Sequence, residues 1–136
     1  MEKLKLQAIE DNLSKVTDWV ETFLRQETAE EKSISEFLIA VDELFINVCH
    51  YAYGEKIGEV EFALEMREEP KRVRLVMKDR GIAFDPYSRE DPDITLSAEE
   101  RKIGGLGIFM VKDFMDHVDY EYRESQNIIT LEKELG

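Results

Sequence analysis

The sequence predicts a two-layer α+β sandwich, with helices covering one face of a mixed, mostly antiparallel sheet. Residues 58–67 and 72–78 alternate apolar and polar side chains on either side of a short turn, which is typical of an antiparallel hairpin with one solvated face. Residues 34–54 instead carry apolar side chains at helical spacing along one stripe, which indicates a helix packed on a core. One-sided helices and a one-sided sheet bury their apolar surfaces against each other.

The two ends of the chain supply the remaining strands and helices. Residues 3–8 alternate and predict a first strand, and the helix after it can be capped by Asp11 or Asn12. Residues 118–123 and 128–133 alternate around a second turn and predict a closing hairpin. With a helix that follows a glycine-rich run, these segments give about five strands and three helices.

The composition is that of an ordinary globular domain. The 136 residues are 43% hydrophobic and 36% charged, which argues against disorder and favours a single domain over residues 1–136. No apolar run reaches membrane-spanning length, and the first residues lack the apolar core of a signal peptide. The single cysteine, Cys49, is either a buried small hydrophobic residue or a reactive thiol. These features predict a reducing, cytoplasmic setting.

The chain is strongly acidic, with 18 basic and 31 acidic residues and a formal net charge of −13. Such a charge disfavours binding to nucleic acid or to an anionic membrane surface. Any phosphate ligand would therefore have to be held by local donors, such as a bound cation and backbone N–H groups, because the overall field repels it.

The central helix carries an unusual set of polar residues opposite its apolar stripe. Glu43 and Asn47 lie one turn apart, and Glu36 and His50 fall in the same sector. Ser33 and Glu36 also have the spacing of a capping box at the start of this helix. Glu43 and Asn47 are either ordinary surface residues or members of a small-ligand site, and the helix alone leaves both interpretations open.

Two further segments are suited to a nucleotide. Asp79 ends an inner strand and is followed by Gly81, so its carboxylate can accept a hydrogen bond from an adenine amino group, although such an Asp can equally begin a turn. Residues 104–107, GGLG, open a helix, where backbone N–H groups can bind phosphate, although such a turn need bind nothing. Residues 80–102 between these segments have no periodicity, which is typical of a functional lid or of a disordered loop.

Together the three segments can surround one nucleotide. Asp79 would contact the base, residues 104–107 the phosphates, and Glu43 with Asn47 a magnesium ion and the reacting oxygen. Mg²⁺ combines a few protein oxygens with phosphates and water, so the carboxamide of Asn47 is an adequate ligand. The cation would also offset the charge repulsion expected of so acidic a protein.

The order of these segments resembles that of the Bergerat-fold ATPases. Glu-x-x-x-Asn at residues 43–47, Asp-x-Gly at residues 79–81 and GGLG at residues 104–107 resemble the N, G1 and G2 boxes of that superfamily, which includes histidine kinases and type II topoisomerases. Within it, the chain is most similar to the small anti-sigma-factor serine kinases of bacterial partner-switching systems. The similarity extends over about residues 3–133 and includes FDP at 84–86 and the run IGGLGIFMVKDFMD.

The resemblance implies a role for each matching residue. Glu43 would position or deprotonate the seryl hydroxyl of a protein substrate, and Asn47 would bind Mg²⁺. Arg101 would reach the γ-phosphate from an ATP lid at about 85–103, and His50 would be a pocket-edge or structural residue rather than a phosphoacceptor. The full set of implied ATP contacts is Asn47, His50, Asp79, Gly81, Ala83, Phe84, Gly104, Gly105, Leu106 and Gly107.

The resemblance also implies cofactors and partners. ATP and Mg²⁺ would serve a protein serine kinase that phosphorylates a small anti-anti-sigma (STAS-type) antagonist and sequesters a sigma factor. Two chains would be able to pair as a homodimer, and no direct nucleic-acid or membrane partner is expected. The alternative is a module that binds ATP and sequesters a partner while transferring little or no phosphate. A nucleotide-free interaction domain is the third hypothesis.

Overall fold

The structure is a computed structural model that describes residues 1–28, 30–54, 56–86 and 105–135. Within these ranges, a first strand and two helices are followed by a pair of strands, a third helix and a second pair of strands. A 3-10 turn at Glu10–Asn12 precedes the first α-helix. The elements are β1 (Glu2–Gln7), α1 (Leu13–Glu27), α2 (Glu31–Tyr51), β2 (Glu59–Arg67), β3 (Arg72–Asp79), α3 (Gly105–Phe114), β4 (His117–Arg123) and β5 (Gln126–Glu134).

The described strands form one sheet in the order β1-β2-β3-β5-β4, with antiparallel pairing throughout. The two predicted hairpins are both present, and the predicted α+β class is confirmed. The sheet is not mixed, however, because β5 returns beside β3 in the antiparallel sense. That return brings the second hairpin next to the end of β3, with Asp79 opposite Asn127 in the register.

Alternation along the strands produces a one-sided sheet. On β3 every second side chain is buried, β2 and β5 follow this alternation over part of their length, and helices supply the other half of the core. Phe62 of β2 contacts Trp19 of α1 and Phe45 of α2, at ring-centroid distances of 6.2 and 6.0 Å. Helix α2 packs against both α1 and α3, so its polar side lies where α3 begins.

The helix starts differ from the sequence-based expectation. Helix α2 begins at Glu31, and the Ser33 hydroxyl donates to the carboxylate of Glu30 at 2.6 Å. The predicted capping box of Ser33 and Glu36 is therefore wrong, because Ser33 lies inside the first turn and Glu36 contacts Lys133 instead. Asn12 does occupy the N-cap position of α1, but its side-chain amide donates to the Gln7 carbonyl, at 2.9 Å, rather than to the helix.

Among the helices of the described ranges, none combines the length and the apolar character that crossing a membrane requires. The longest, α2, carries buried polar Asn47 and Ser33 and several charged residues along its 21 residues.

Candidate functional site

Asp79 is a nearly buried carboxylate at the end of β3, with 4% of its surface exposed. Its Oδ1 atom accepts hydrogen bonds from the backbone N–H of Gly81 and the side-chain amide of Asn127, each at 2.9 Å. Burial raises the pKa of the Asp79 carboxyl, and these two hydrogen bonds oppose the rise. Because both donors reach Oδ1, the second oxygen, Oδ2, is the one available to a ligand.

The turn after Asp79 is packed on the C-terminal end of α2. The backbone N–H of Ile82 donates to the Ala52 carbonyl at 2.8 Å, and a Cβ atom on Gly81 would overlap that same carbonyl. Gly81 is therefore required for close backbone packing, and it does not line the cavity beside Asp79. The Tyr53 hydroxyl adds a second link, because it accepts the Arg80 N–H at 2.8 Å.

A small cavity lies between α2, the end of β3 and the start of β5. Its volume is about 20 Å³, which is on the scale of a single water molecule. Three of the predicted contacts, Asn47, Asp79 and Phe84, belong to its lining, which is made of Leu44, Asn47, Val48, Tyr51, Ala52, Asp79, Ile82, Phe84, Pro86, Asn127 and Ile129. The lining is therefore mostly apolar, and its residues with polar side-chain groups are Asn47, Tyr51, Asp79 and Asn127.

Glu43 and Asn47 contact each other on α2, as their spacing predicts. The amide of Asn47 donates to the Glu43 carbonyl at 3.0 Å and to its Oε1 atom at 3.3 Å, and Asn47 is 7% exposed. A carbonyl oxygen can only accept, so the amide nitrogen is fixed on that side and Oδ1 points away from Glu43. No hydrogen bond from the described residues reaches Oδ1.

The donor set fits a magnesium ion held mainly by a ligand. The described residues contain no group of three or more His, Cys, Asp or Glu side chains that could hold a metal by themselves. A neutral carboxamide oxygen such as Oδ1 of Asn47 is a suitable single protein ligand for Mg²⁺ when phosphates and water supply the others. The described side chains are thus compatible with a metal ion shared with a phosphate ligand, and they do not form a metal cage by themselves.

The described part of the glycine-rich run, residues 105–107, begins α3, and its Gly107 lies against Glu43 of α2. Helix α3 begins at Gly105 and includes Leu106 and Gly107 in its first turn. Gly107 is buried, and a Cβ atom there would overlap the carboxyl group of Glu43. The N–H groups of a helix's first turn have no partner within the helix and favour an anion. The three predicted segments are therefore brought together, with Glu43 and Asn47 between the cavity and the start of α3.

Other predicted site residues lie elsewhere or outside the described ranges. His50 pairs with the carboxylate of Glu10 and does not line the cavity. Ala83 is exposed and is also absent from the lining. Arg101 and Gly104 lie outside the residues that the structure describes, as does the predicted lid at about 85–103 apart from Asp85 and Pro86.

Asn127 is a site residue that the sequence analysis did not identify. It is 3% exposed, lines the cavity and donates to both Asp79 and the Ile82 carbonyl. The sequence pattern assigned Asn127 to the turn of the closing hairpin, whereas it lies on β5, which begins at Gln126. The only signal available was the polar residue at the start of an otherwise apolar inward face, and that signal is weak without the strand order.

This fold, an antiparallel sheet covered on one face by helices, together with the family match given next, makes the chain a Bergerat-type ATPase domain. Residues 6–133 match the family model described as the histidine kinase-like ATPase domain, and the chain belongs to that family. Two solved structures share the fold. The first contains the RsbU and RsbW domains of a Mycobacterium tuberculosis protein, with a TM-score of 0.64 and 17% identity, and the match covers 99% of this chain and 33% of that one. The second is a blue-light-activated histidine kinase domain from Erythrobacter litoralis, with a TM-score of 0.60 and 11% identity, and the match covers 90% of this chain and 59% of that one.

Curated relatives of this chain include bacterial serine-protein kinases named RsbW. The chain is 32% identical over 103 residues to the one from Listeria monocytogenes, and the match covers 72% of this chain and 64% of that protein. It is 27% identical over 100 residues to the one from Bacillus cereus, covering 71% of this chain and 61% of that protein. The chain thus spans less than two thirds of the length of the curated relatives it matches.

Proposed function

We propose that this chain is a Mg-ATP-dependent protein serine kinase that phosphorylates a small antagonist protein in a bacterial partner-switching system. The observation that carries the proposal is the convergence of three sequence segments on one site. Gly107 of α3 abuts the carboxylate of Glu43, Glu43 is bonded to Asn47, and Asn47 shares a cavity with Asp79. A protein that binds ATP must contact the base, the metal and the phosphates of one nucleotide at the same time. The closeness of Gly107, Glu43, Asn47 and Asp79 supports such binding.

Asp79 is suited to the adenine base. Asp79 lines a mostly apolar cavity, and its Oδ2 atom can accept a hydrogen bond from the 6-amino group. A volume of about 20 Å³ is far below that of a purine, so part of the wall must be displaced on binding. The side chains of Ile82, Phe84 and Pro86 lie on a segment that is neither an α-helix nor a strand. These side chains can be displaced while the backbone groups of Ile82 and Phe84 keep their hydrogen bonds to Asn127.

Asn47 and the start of α3 are suited to the Mg-triphosphate. Oδ1 of Asn47 would be the protein ligand of Mg²⁺, and the first-turn N–H groups of α3 would contact phosphate oxygens. A bound Mg²⁺ supplies charge neutralisation on the phosphates. Gly107 allows this turn to lie close to α2, where a larger residue would displace Glu43.

Glu43 is the residue suited to act on the acceptor serine. Its carboxylate lies beside the first turn of α3, so a seryl hydroxyl that attacks the terminal phosphate would lie within its reach. Glu43 would accept the hydroxyl proton or hold the hydroxyl in line, and alignment of this kind supplies much of the rate in phosphoryl transfer. Arg101 stays a proposed contact of the γ-phosphate from the segment before α3.

The relatives named as serine-protein kinases support the reaction class. We infer as partners a STAS-type anti-anti-sigma antagonist, which would be phosphorylated, and a sigma factor, which would be sequestered, in the cytoplasm. Homodimerisation is compatible with the edge position of β1 in the sheet. The alternative is an ATP-binding module that sequesters a partner and transfers little phosphate.

The test is a phosphotransfer assay with a STAS-type protein that co-purifies with the chain from its own cells. With ATP labelled at the γ-phosphate and Mg²⁺, label should appear on a serine of that protein. Glu43→Gln, which keeps the size of the side chain, should lower the rate by about 100-fold or more while ATP binding persists. Asp113→Asn, at an exposed carboxylate of α3, is the matched control and should leave the rate unchanged. ATP binding without transfer would favour the sequestering module.

A further inference from the structure

Asn127 uses its whole hydrogen-bonding capacity around the candidate base pocket. Its amide nitrogen donates to Oδ1 of Asp79 at 2.9 Å and to the Ile82 carbonyl at 2.8 Å. Its amide oxygen accepts from the Phe84 N–H at 3.1 Å and from the Tyr120 hydroxyl at 2.5 Å. A carboxamide offers two donors and two acceptor lone pairs, so each is matched by a partner that lies in or beside the pocket.

These partners also fix which way the amide faces. The Ile82 carbonyl can only accept and the Phe84 N–H can only donate, so a flipped amide would oppose both. Tyr120 reinforces this orientation from β4, because its hydroxyl donates to the amide oxygen and accepts the Phe84 N–H at 3.1 Å. As a result, the amide nitrogen of Asn127 always faces Asp79.

We propose that Asn127, held by Tyr120, is a positioning residue that gives the pocket its selectivity for a purine with a 6-amino group. Asn127 acts through Asp79, and this inference rests on the proposed function. With Oδ1 of Asp79 held by Asn127 and Gly81, the carboxylate cannot rotate and Oδ2 is directed at the ligand. Without Asn127, Oδ1 and Oδ2 can exchange places or share water, so a 6-amino group would lose its fixed acceptor.

The proposal separates base recognition from phosphate binding, because the side-chain hydrogen bonds of Asn127 go to Asp79, Ile82, Phe84 and Tyr120 and none goes to Glu43, Asn47 or the described part of α3. Loss of Asn127 should therefore reduce discrimination by the base and leave the phosphate contribution intact. The measurement is the ratio of dissociation constants for two magnesium complexes, ATP and purine riboside triphosphate, which lacks only the 6-amino group. A hydrogen bond between a charged group and a donor makes the wild-type ratio about 10-fold or more.

Three variants of the full chain are compared in this assay. Asn127→Leu, of similar size, should reduce the ratio by about 10-fold, and Tyr120→Phe, which removes one hydroxyl, should reduce it by about threefold. Tyr122→Phe is the matched control on the same strand, since Tyr122 is 47% exposed and its hydroxyl forms no hydrogen bond with the described residues. It should keep the wild-type ratio. Tyr120→Phe still decides the question if Asn127→Leu does not fold.

Each outcome bears on a different claim. A ratio that falls in Tyr120→Phe but not in Tyr122→Phe supports the positioning role. Equal weakening of both nucleotides, with the ratio unchanged, would show that Asn127 and Tyr120 only stabilise the fold and would overturn the inference. A wild-type chain that binds ATP and discriminates against the analogue upholds the base site in either case. A wild-type chain that binds neither nucleotide would overturn the proposed function itself.

Discussion

At the scale of single residues, Asp79 is a carboxylate in a mostly apolar cavity whose two hydrogen-bond donors are both uncharged. Two neutral donors compensate only part of the cost of burying a charge. The pKa of Asp79 is raised by that burial, although Asn127 and Gly81 oppose the rise. A buried carboxylate of this kind destabilises the folded chain when no ligand is bound, and such groups are typical of functional sites rather than of residues that stabilise the fold.

The raised pKa of Asp79 predicts how stability depends on pH. The folded chain keeps a proton on Asp79 at pH values where the unfolded carboxyl, with a pKa of about 3.9, has lost it. The stability that protonated Asp79 contributes to the folded chain is therefore fully present below the unfolded pKa, and it is lost as pH rises through the folded pKa. The Asp79→Asn variant, with no charge to bury, lacks this dependence. The free energy of unfolding of Asp79→Asn, relative to that of the wild type, should thus increase as pH rises from about 4 to 7.

Urea unfolding of both chains over that pH range measures this difference, and the other titrating groups cancel in the comparison. Asp79→Asn keeps an oxygen for Gly81 and Asn127, so the fold should persist. If the wild type instead gained stability over Asp79→Asn with rising pH, the pKa of Asp79 would be lowered in the folded chain. The interpretation of the cavity as a desolvating environment would then fail.

Local residue patterns predicted only part of the site. Glu43 and Asn47 were found because one helical turn separates them, and Asp79 because a strand pattern ends there. Asn127 lies 48 positions from Asp79, and its own neighbourhood marks it only weakly, because its role depends on β5 pairing with β3. His50 has the angular position of a site residue, yet it extends toward Glu10.

At the scale of the elements, two glycines have opposite roles. A Cβ atom added at Gly81 would overlap the backbone carbonyl of Ala52, which cannot move without breaking the packing at the end of α2. A Cβ atom added at Gly107 would overlap the flexible end of the Glu43 side chain. Gly81→Ala should therefore lower the free energy of unfolding by about 1–3 kcal/mol. Gly107→Ala should change stability by less than about 1 kcal/mol, since alanine favours a helix. It should lower phosphotransfer by about 10-fold or more, because Glu43 is displaced.

Urea unfolding and the phosphotransfer assay, applied to both variants, check this contrast. Each glycine variant is the control for the other, because the added methyl group is the same. Equal loss of stability in both would mean that Gly107 is held by rigid packing rather than by the Glu43 carboxylate. Full activity in Gly107→Ala would mean that the position of Glu43 does not limit the reaction.

The boundaries of elements show where sequence patterns are sufficient. The strands were predicted to within a few residues, since alternation records which face of each strand is buried. The start of α2 was misplaced, because Ser33 and Glu36 have the spacing of a capping box but different partners in the fold. Glu36 contacts Lys133 at 3.3 Å, and Lys133 also donates to the Phe114 carbonyl at the end of α3, at 2.8 Å. Those contacts join elements far apart in sequence and leave no local signal.

At the scale of the whole molecule, the site exists because α2 spans the distance between β3 and α3. The cavity adjoins the second half of α2, and Gly107 adjoins its middle. The strand order β1-β2-β3-β5-β4 then brings the start of β5 beside the end of β3. Hydrophobic alternation contains no information on strand order, so the sequence predicted the layers and not the neighbour that completes the pocket.

The net charge of −13 is a property of the whole chain that acts on any triphosphate. Free ATP is repelled at long range, and Mg²⁺ neutralises part of its charge. The described residues near the start of α3 offer amide dipoles and a carboxamide, neither of which carries a full positive charge. Binding of the nucleotide should therefore depend strongly on the metal, and the dependence should itself vary with ionic strength.

This argument predicts opposite responses to salt with and without the metal. In EDTA, raising the ionic strength from about 0.01 to about 0.1 M shortens the screening length from about 30 to about 10 Å, which weakens the repulsion and should tighten binding of free ATP. With excess Mg²⁺ the same change should have a smaller effect, because less repulsion remains to be screened. Isothermal titration under the four conditions measures both responses. Weaker binding of free ATP at the higher salt concentration would indicate that cationic side chains dominate at the site, and Arg101 would then be the first residue to replace.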